Sequence, residues 1–251
     1  MIKASLFIVE GEPCADAHLI GSVARACKPG CKKDEALILY GDQGINKSTF
    51  FEVLYGKCFF DDTMSNMSDK DEVLKLHRFW VVEWAELEAV FKRKDIEQIK
   101  SFLTTKVDSI RPPYARDIEE LPRCSVIVAT TNNKEQLNDP SGNRRFWFIP
   151  VTKKIDFHVL EQSRDRIWAS AYAAYQNDEI WWLTDEEEVL SAEDNEDYQI
   201  QDVWVDHIQE FLIDRTWTTI SQILLEAFSI EQGKQERRYQ MRVADILKKL
   251  G

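Results

Sequence analysis

No run of eighteen apolar residues occurs in this chain, so no segment of it has the length and hydrophobicity of a membrane span. Paired cysteine spacing is missing too. The five cysteines (Cys14, Cys27, Cys31, Cys58 and Cys124) are odd in number and form no C-x-x-C. Cys27 and Cys31 are a near pair, but no second pair or histidine cluster follows them. This argues against a disulfide framework or a zinc site, and for reduced, mostly buried thiols in a cytoplasmic protein. Positive charge is in deficit, with a net charge of −12. A protein that coats nucleic acid through overall charge is thereby excluded, whereas a local basic site is not. The short apolar stretch at residues 4–9 is followed at once by acidic residues, so a signal peptide is not expected. Internal repeats and low-complexity tracts are absent.

What remains is globular composition, 44% hydrophobic and 30% charged over 251 residues, enough for one large domain or a medium and a small one. The organising stretch is Leu37 to Phe51. Ala36 to Tyr40 is an apolar run of strand length, Gly41 to Asn46 is a turn-rich break, and from Lys47 a helix begins with Phe50, Val53 and Leu54 on one face. Strand, tight loop and helix with Lys-Ser at its mouth is the architecture of a phosphate-binding loop. Backbone N–H groups of Gly41, Gly44, Asn46 and Thr49 would cradle a polyphosphate, Lys47 would reach the β- and γ-phosphates, and the Ser48 hydroxyl would ligate Mg²⁺. The pattern asks for glycine before the lysine, and Asn46 stands there. Asn tolerates positive φ, so the turn is expected to survive, with some crowding of the phosphates. Without nucleotide, Lys47 is expected to be exposed. The plainer alternative is an ordinary strand–turn–helix junction with a solvated lysine.

Further apolar runs follow in order. Phe79 to Val82 predicts a second strand with Glu83 at its end and Glu86 three residues on. There an acidic pair could hold a Mg²⁺ shell and polarise water, or simply open the next helix. The segment 61–71 is polar and loop-like, and Leu87 to Leu103 predicts an amphipathic helix. Lys106, Arg111, Tyr114 and Arg116 alternate basic and aromatic character around prolines. They suit either a hairpin that touches a nucleic-acid backbone and stacks a base, or a solvated connector. Cys124 to Ala129 predicts a third strand, tipped by Thr130-Thr-Asn132, with Asn132 placed to orient a lytic water. A turn then delivers Arg144 and Arg145 before a fourth strand, Phe146 to Val151. Those arginines could bridge locally or reach a γ-phosphate in a neighbouring subunit. A helix is expected over Phe157 to Gln176. The acidic run Thr184 to Asp197 is the best boundary candidate, and three short helices beyond it, the last one basic, suggest a small helix-turn-helix or winged unit.

Seven blocks in this order resemble the virulence-associated protein E (VirE-like) family of phages, plasmids and genomic islands. They are Pro29-Gly-Cys-Lys32, Gly41-Asp-Gln-Gly-Ile-Asn-Lys-Ser-Thr-Phe50, Trp80-Val-Val-Glu-Trp-Ala-Glu-Leu87, Lys100-Ser-Phe-Leu103, Asp108-Ser-Ile-Arg-Pro-Pro-Tyr114, Thr130-Thr-Asn132 and Gly142-Asn-Arg-Arg-Phe-Trp147. Members of that family are P-loop ATPases related to superfamily 3 helicases within the AAA+ class. The resemblance implies an α/β, three-layer P-loop domain over 36–183, preceded by a helical lead-in at 1–35 and followed by a helical or winged unit at 200–251. It implies ATP and Mg²⁺ as cofactors, Lys47 and Ser48 as the loop's phosphate and metal residues, and Glu83 and Glu86 as the acids, with Glu83 also on the metal. Asn132 would be the sensor, and Arg144 or Arg145 the arginine finger. Lys106, Arg111, Tyr114 and Arg116 would touch single-stranded DNA in the pore of a homo-oligomeric, hexameric ring. The expected function is an ATP-dependent DNA helicase in replication of a mobile element, alone or as part of a longer primase-helicase. Two alternatives stay open: an ATPase that remodels proteins, and an ATP-binding initiator or switch that hydrolyses weakly.

Overall fold

In a computed structural model of the chain, the described residues are 13–64, 67, 69–84, 87, 96–112, 116–132, 144–184, 186–188, 203–213, 215 and 217–250. They fall into two compact units, Met1–Gln199 and Ile200–Gly251.

The first unit is mixed α/β around a parallel sheet. Its strands are β1 (Ala36–Tyr40), β2 (Phe60–Met64), β3 (Val81–Trp84), β6 (Val126–Thr131) and β7 (Phe146–Pro150), ordered β2-β3-β6-β1-β7. β1 is hydrogen-bonded on both sides, with Leu37 level with Val128 of β6 and Trp147 of β7. A strand buried on both faces must be apolar throughout, which is why Ala-Leu-Ile-Leu-Tyr is so uniform. Successive side chains point to opposite faces, so the run divides between two cores. Leu37 and Leu39 join Val128, Trp147 and Ile149 on one face, under α1 (Pro13–Cys27), α2 (Lys47–Tyr55) and α5 (Phe157–Gln176). Ala36 and Ile38 join Val82, Trp84, Ala129 and Phe148 on the other face, under α4 (Ile96–Thr104). Trp84, Trp147, Phe50 and Phe51 are almost fully buried, each contributing about 2–3 kcal/mol. The short α3 (Lys70–Lys75) and an antiparallel hairpin, β4 (Val107–Ile110) with β5 (Glu119–Pro122), complete the unit.

Several expectations shift. The polar segment at 61–71 begins inside β2, an edge strand that pairs with β3 alone, so its Asp-Asp-Thr can face water. The strands at β3 and β6 run two residues further than the apolar pattern, which puts Glu83 inside β3 and Thr130 and Thr131 inside β6. Of the helix expected over 87–103, the described part is Ile96–Thr104. None of the five thiols is in a disulfide, but only Cys14 and Cys31 are buried. Cys27 and Cys58 are exposed and Cys124 is intermediate.

Among its described residues the second unit has three α-helices, α6 (Trp204–Leu212), α7 (Ile220–Glu226) and α8 (Arg237–Leu250), around Ile208, Ile223, Leu224, Val243 and Ile246. Thr219 and Gln222 form a capping box that starts α7. Trp204 stacks on Phe228 at 4.1 Å, and the Arg242 guanidinium lies 4.3 Å from the Trp204 ring. Among its described residues the unit contains no strand, so no wing is seen. No helix among the described residues is long and apolar enough to cross a membrane.

Candidate functional site

Parallel sheets gather function at the carboxyl ends of their strands, where loops turn into helices. Here β1 ends at Tyr40 and the chain turns sharply through Gly41. A Cβ at Gly41 would stand 2.3 Å from the carbonyl oxygen of Val151, so only glycine fits. Gly44 has φ 84° and Asn46 has φ 70°, ψ 35°, both left-handed. Asn46 therefore adopts the backbone shape that the loop pattern normally assigns to glycine. Its side chain makes no cap on α2, which starts at the next residue.

Lys47 departs from the expectation of exposure. It is buried, and its ammonium donates to the carbonyls of Gly41 and Asp42, both at 2.8 Å, and to Asn132 Oδ1 at 2.6 Å. Burial lowers its pKa, and the negative charge of Asp42 partly offsets this. Among the described residues no carboxylate forms an ion pair with it. The physical reason is satisfaction: a long cation beside a loop of inward carbonyls is better bonded folded back than extended.

Beside it runs a second set of contacts. Ser48, exposed in the first turn of α2, lies 3.2 Å from the Thr130 hydroxyl, which donates to Glu83 Oε1 at 2.8 Å. Glu83 is 1% exposed, and its Oε2 has no hydrogen-bond partner among the described residues. Burial raises the Glu83 pKa, the Thr130 and Ser48 hydroxyls pull it back, and the charge of Asp62 on β2 raises it again. Asn132 closes the cluster from the end of β6.

The remaining sequence candidates lie elsewhere or outside the described residues. Glu86 and Tyr114 are outside them. Thr49 is exposed on α2. Arg144 and Arg145 directly precede β7, and the Arg145 carbonyl accepts from the Ala36 N–H at 2.8 Å. They stand at the amino end of the sheet, a full strand of roughly 16 Å from the loop, so neither serves the loop of its own chain. Arg144 is exposed, 3.8 Å from Glu188, and Arg145 Nε is buried with no partner among the described residues. Lys106, Arg111 and Arg116 are exposed on and around the β4–β5 hairpin, but so are Asp117, Glu119 and Glu120. The hairpin flanks are therefore charge-balanced, a fact that selecting the basic residues alone concealed. No cluster of three or more His, Cys, Asp or Glu side chains suited to a metal occurs among the described residues. Sequence reasoning passed over Thr130 and Asp62. The signal for Thr130 was its place in Thr-Thr-Asn at a strand tip; nothing local marked Asp62.

The fold and the polar cluster define an α/β protein with a tight, glycine-bearing turn and a polar cluster at the carboxyl edge of a parallel sheet. The sequence profile of the virulence-associated protein E-like domain matches residues 11–200, and the chain belongs to that family. Among solved structures, the apo C-terminal region (305–718) of NrS-1 is similar at 13% identity, over 100% of this chain and 69% of that one, with a TM-score of 0.43. The A form of the apo NrS-1 C-terminal region is similar at 13% identity over 99% and 69%, with a TM-score of 0.46. No curated protein matches the chain.

Proposed function

We propose that the chain is a Mg²⁺-dependent ATPase of the P-loop type that acts on DNA during replication of a mobile element. The observation that carries this is Lys47. A part-buried ammonium held by two loop carbonyls and an amide, with no carboxylate paired to it among the described residues, is a cation awaiting an anion. The divalent ion also fits: Glu83 offers a buried oxygen with no partner two contacts away from the Ser48 hydroxyl.

In this reading the backbone from Gly41 to Thr49 binds the phosphates with N–H groups and the positive end of α2. Lys47 leaves the carbonyls of Gly41 and Asp42 for the β- and γ-phosphates. Ser48 and Glu83 hold Mg²⁺, which when bound neutralises phosphate charge. Glu86, the second acid of the 80–87 block, polarises the attacking water. Asn132, released from Lys47, orients that water. Arg144 and Arg145 serve the loop of an adjacent copy in a homo-oligomeric ring, because their own loop is a strand length away. The hairpin bearing Lys106, Arg111, Tyr114 and Arg116 contacts single-stranded DNA, and the second unit is a helical, helix-turn-helix-like accessory.

The charge balance of the hairpin flanks favours a second reading, an ATPase that remodels proteins. Steady-state ATP turnover with and without single-stranded DNA separates the two: stimulation supports the DNA-acting enzyme and DNA-independent turnover the remodeller. Lys47→Ala should lower turnover by about a hundredfold or more. Turnover retained in that variant sinks both readings. Mixing Arg144→Ala/Arg145→Ala protein with Lys47→Ala protein should restore part of the activity; absence of rescue at every ratio overturns the arginine role in an adjacent copy.

A further inference from the structure

β6 is inserted between β1, which leads into the phosphate loop, and β3, which carries Glu83. A side chain at its tip can therefore touch both neighbours. Thr130 pairs in register with Leu39 of β1. Glu83 is level with Val128, two residues earlier on the same face of β6 as Thr130. The result is a continuous contact from helix α2 to the acid: Ser48 Oγ to Thr130 Oγ1 at 3.2 Å, then Thr130 Oγ1 to Glu83 Oε1 at 2.8 Å.

The proton bookkeeping fixes its direction. A hydroxyl has one hydrogen and can also accept. Thr130 spends its hydrogen on the Glu83 carboxylate, so it can only accept from Ser48. The Ser48 hydrogen therefore points inward, to Thr130 Oγ1 or to the Glu83 carboxylate beside it, and its lone pairs face outward. At the other end Oε1 is committed, and Oε2 has no partner among the described residues.

Resting on the nucleotide-site reading above, we propose that Thr130 is a positioning residue that couples the phosphate-loop Ser48 to Glu83, presenting the serine lone pair and the free Glu83 oxygen to one divalent cation. Neighbours of this kind orient metal ligands without touching the metal, and their loss commonly costs about 10–100-fold in metal affinity or activity. A purely structural hydroxyl at a strand tip would affect folding and leave metal dependence alone.

The test uses the full chain with Thr130→Val, which keeps the shape and removes the hydroxyl, and Thr130→Ser, which restores it. The measurements are kcat and KM for ATP, the half-saturating Mg²⁺ concentration, and binding of a fluorescent ATP analogue titrated with and without Mg²⁺. Thr130→Val is expected to lower kcat about tenfold or more, to raise half-saturating Mg²⁺ by a similar factor, and to change KM for ATP by less than about threefold. Thr130→Ser should return within about threefold of the parent. Active parent protein with Thr130→Val unchanged in kcat and Mg²⁺ dependence overturns the coupling and leaves the ATPase reading intact. A parent that binds nucleotide without turnover, with Mg²⁺-dependent binding lost only in Thr130→Val, upholds the coupling while hydrolysis falls. A parent that neither binds nor hydrolyses overturns both.

Discussion

Two buried lysines at opposite ends of the same strand show how one residue type is put to different use. Lys33, just before the amino end of β1, is bonded to Glu35 at 2.9 Å and lies 4.2 Å from the Trp147 ring. Its stem fills the space over Gly21 of α1, where a Cβ would stand 2.7 Å from Lys33 Cδ. Around it, Arg25 donates to the Lys33 and Arg123 carbonyls, and Arg123 grips both oxygens of Asp108 at 2.6 and 2.8 Å. Lys33, Glu35, Arg25, Arg123 and Asp108 thus each have a counter-charge or a bonded neighbour, although Arg25 Nε and Asp34 Oδ1 have no partner among the described residues. Lys47, past the carboxyl end of the strand, is also buried, but its ammonium lies nearer to solvent and, among the described residues, answers only to carbonyls and an amide. Burial lowers both lysine pKa values, yet at Lys33 the opposing contribution is a bonded carboxylate and at Lys47 it is only the more distant charge of Asp42. The first end is closed structure. The second has binding capacity left over, a free carboxylate oxygen and a replaceable set of partners for a cation.

Removing each lysine breaks this comparison most sharply. Lys33→Ala leaves Glu35 buried without its partner and should cost about 3–4 kcal/mol in denaturant unfolding. Lys47→Ala removes a partly desolvated charge and leaves three neutral acceptors beside the exposed loop residues 42–44, so it should change stability by less than about 1 kcal/mol while it stops turnover. Equal losses from the two variants would make the loop lysine structural.

Next in size is Asp108. Burial pushes its carboxyl up, but hydrogen bonds from Arg123 and His77 outweigh that and hold it at about 2, below the usual 3.8. The folded value is depressed, so its stabilisation is present above pH 4 and lost as pH falls toward 2. At neutral pH, Asp108→Asn should cost about 2 kcal/mol, and the gap from the parent should close between those two pH values. A gap independent of pH would assign the loss to packing.

Asn132→Ala probes the replaceable partners. Freed of one acceptor, Lys47 should bind ATP about fivefold more tightly, a gain near 1 kcal/mol, while turnover falls for want of an oriented water. Weaker binding, read by titration with a fluorescent nucleotide, would show that Asn132 holds the nucleotide rather than competing with it. The smallest effect belongs to Asn46→Gly. The left-handed backbone already suits glycine, and the Asn46 side chain caps nothing, so stability should move by only a few tenths of a kcal/mol. Tighter ATP binding in that variant would confirm crowding of the phosphates, and weaker binding would show that the loop uses the amide.

Where the information was local, it was legible. The bounds of β1, the start of α2 at Lys47 and the tolerance of Asn46 for positive φ follow from apolar run length, turn residues and backbone sterics over about a dozen positions. β7 and the long α5 were visible for the same reason. β2 was not, because an edge strand can be polar and its only cause is the neighbour it pairs with. Burial of Lys47 depends on Asn132, 85 residues away, and the link from Ser48 through Thr130 to Glu83 spans separations of 82 and 47. The amino acids by themselves determined an apolar strand, a tight left-handed turn and a helix that starts at Lys47, since sterics and hydrophobic burial act between near neighbours. Only the tertiary structure decided that β6 lies between β1 and β3, that Thr130 joins the loop to the acid, and that Arg144 and Arg145 stand at the far end of the sheet. Strand order sets those positions, and it is fixed by packing between segments that no local pattern connects.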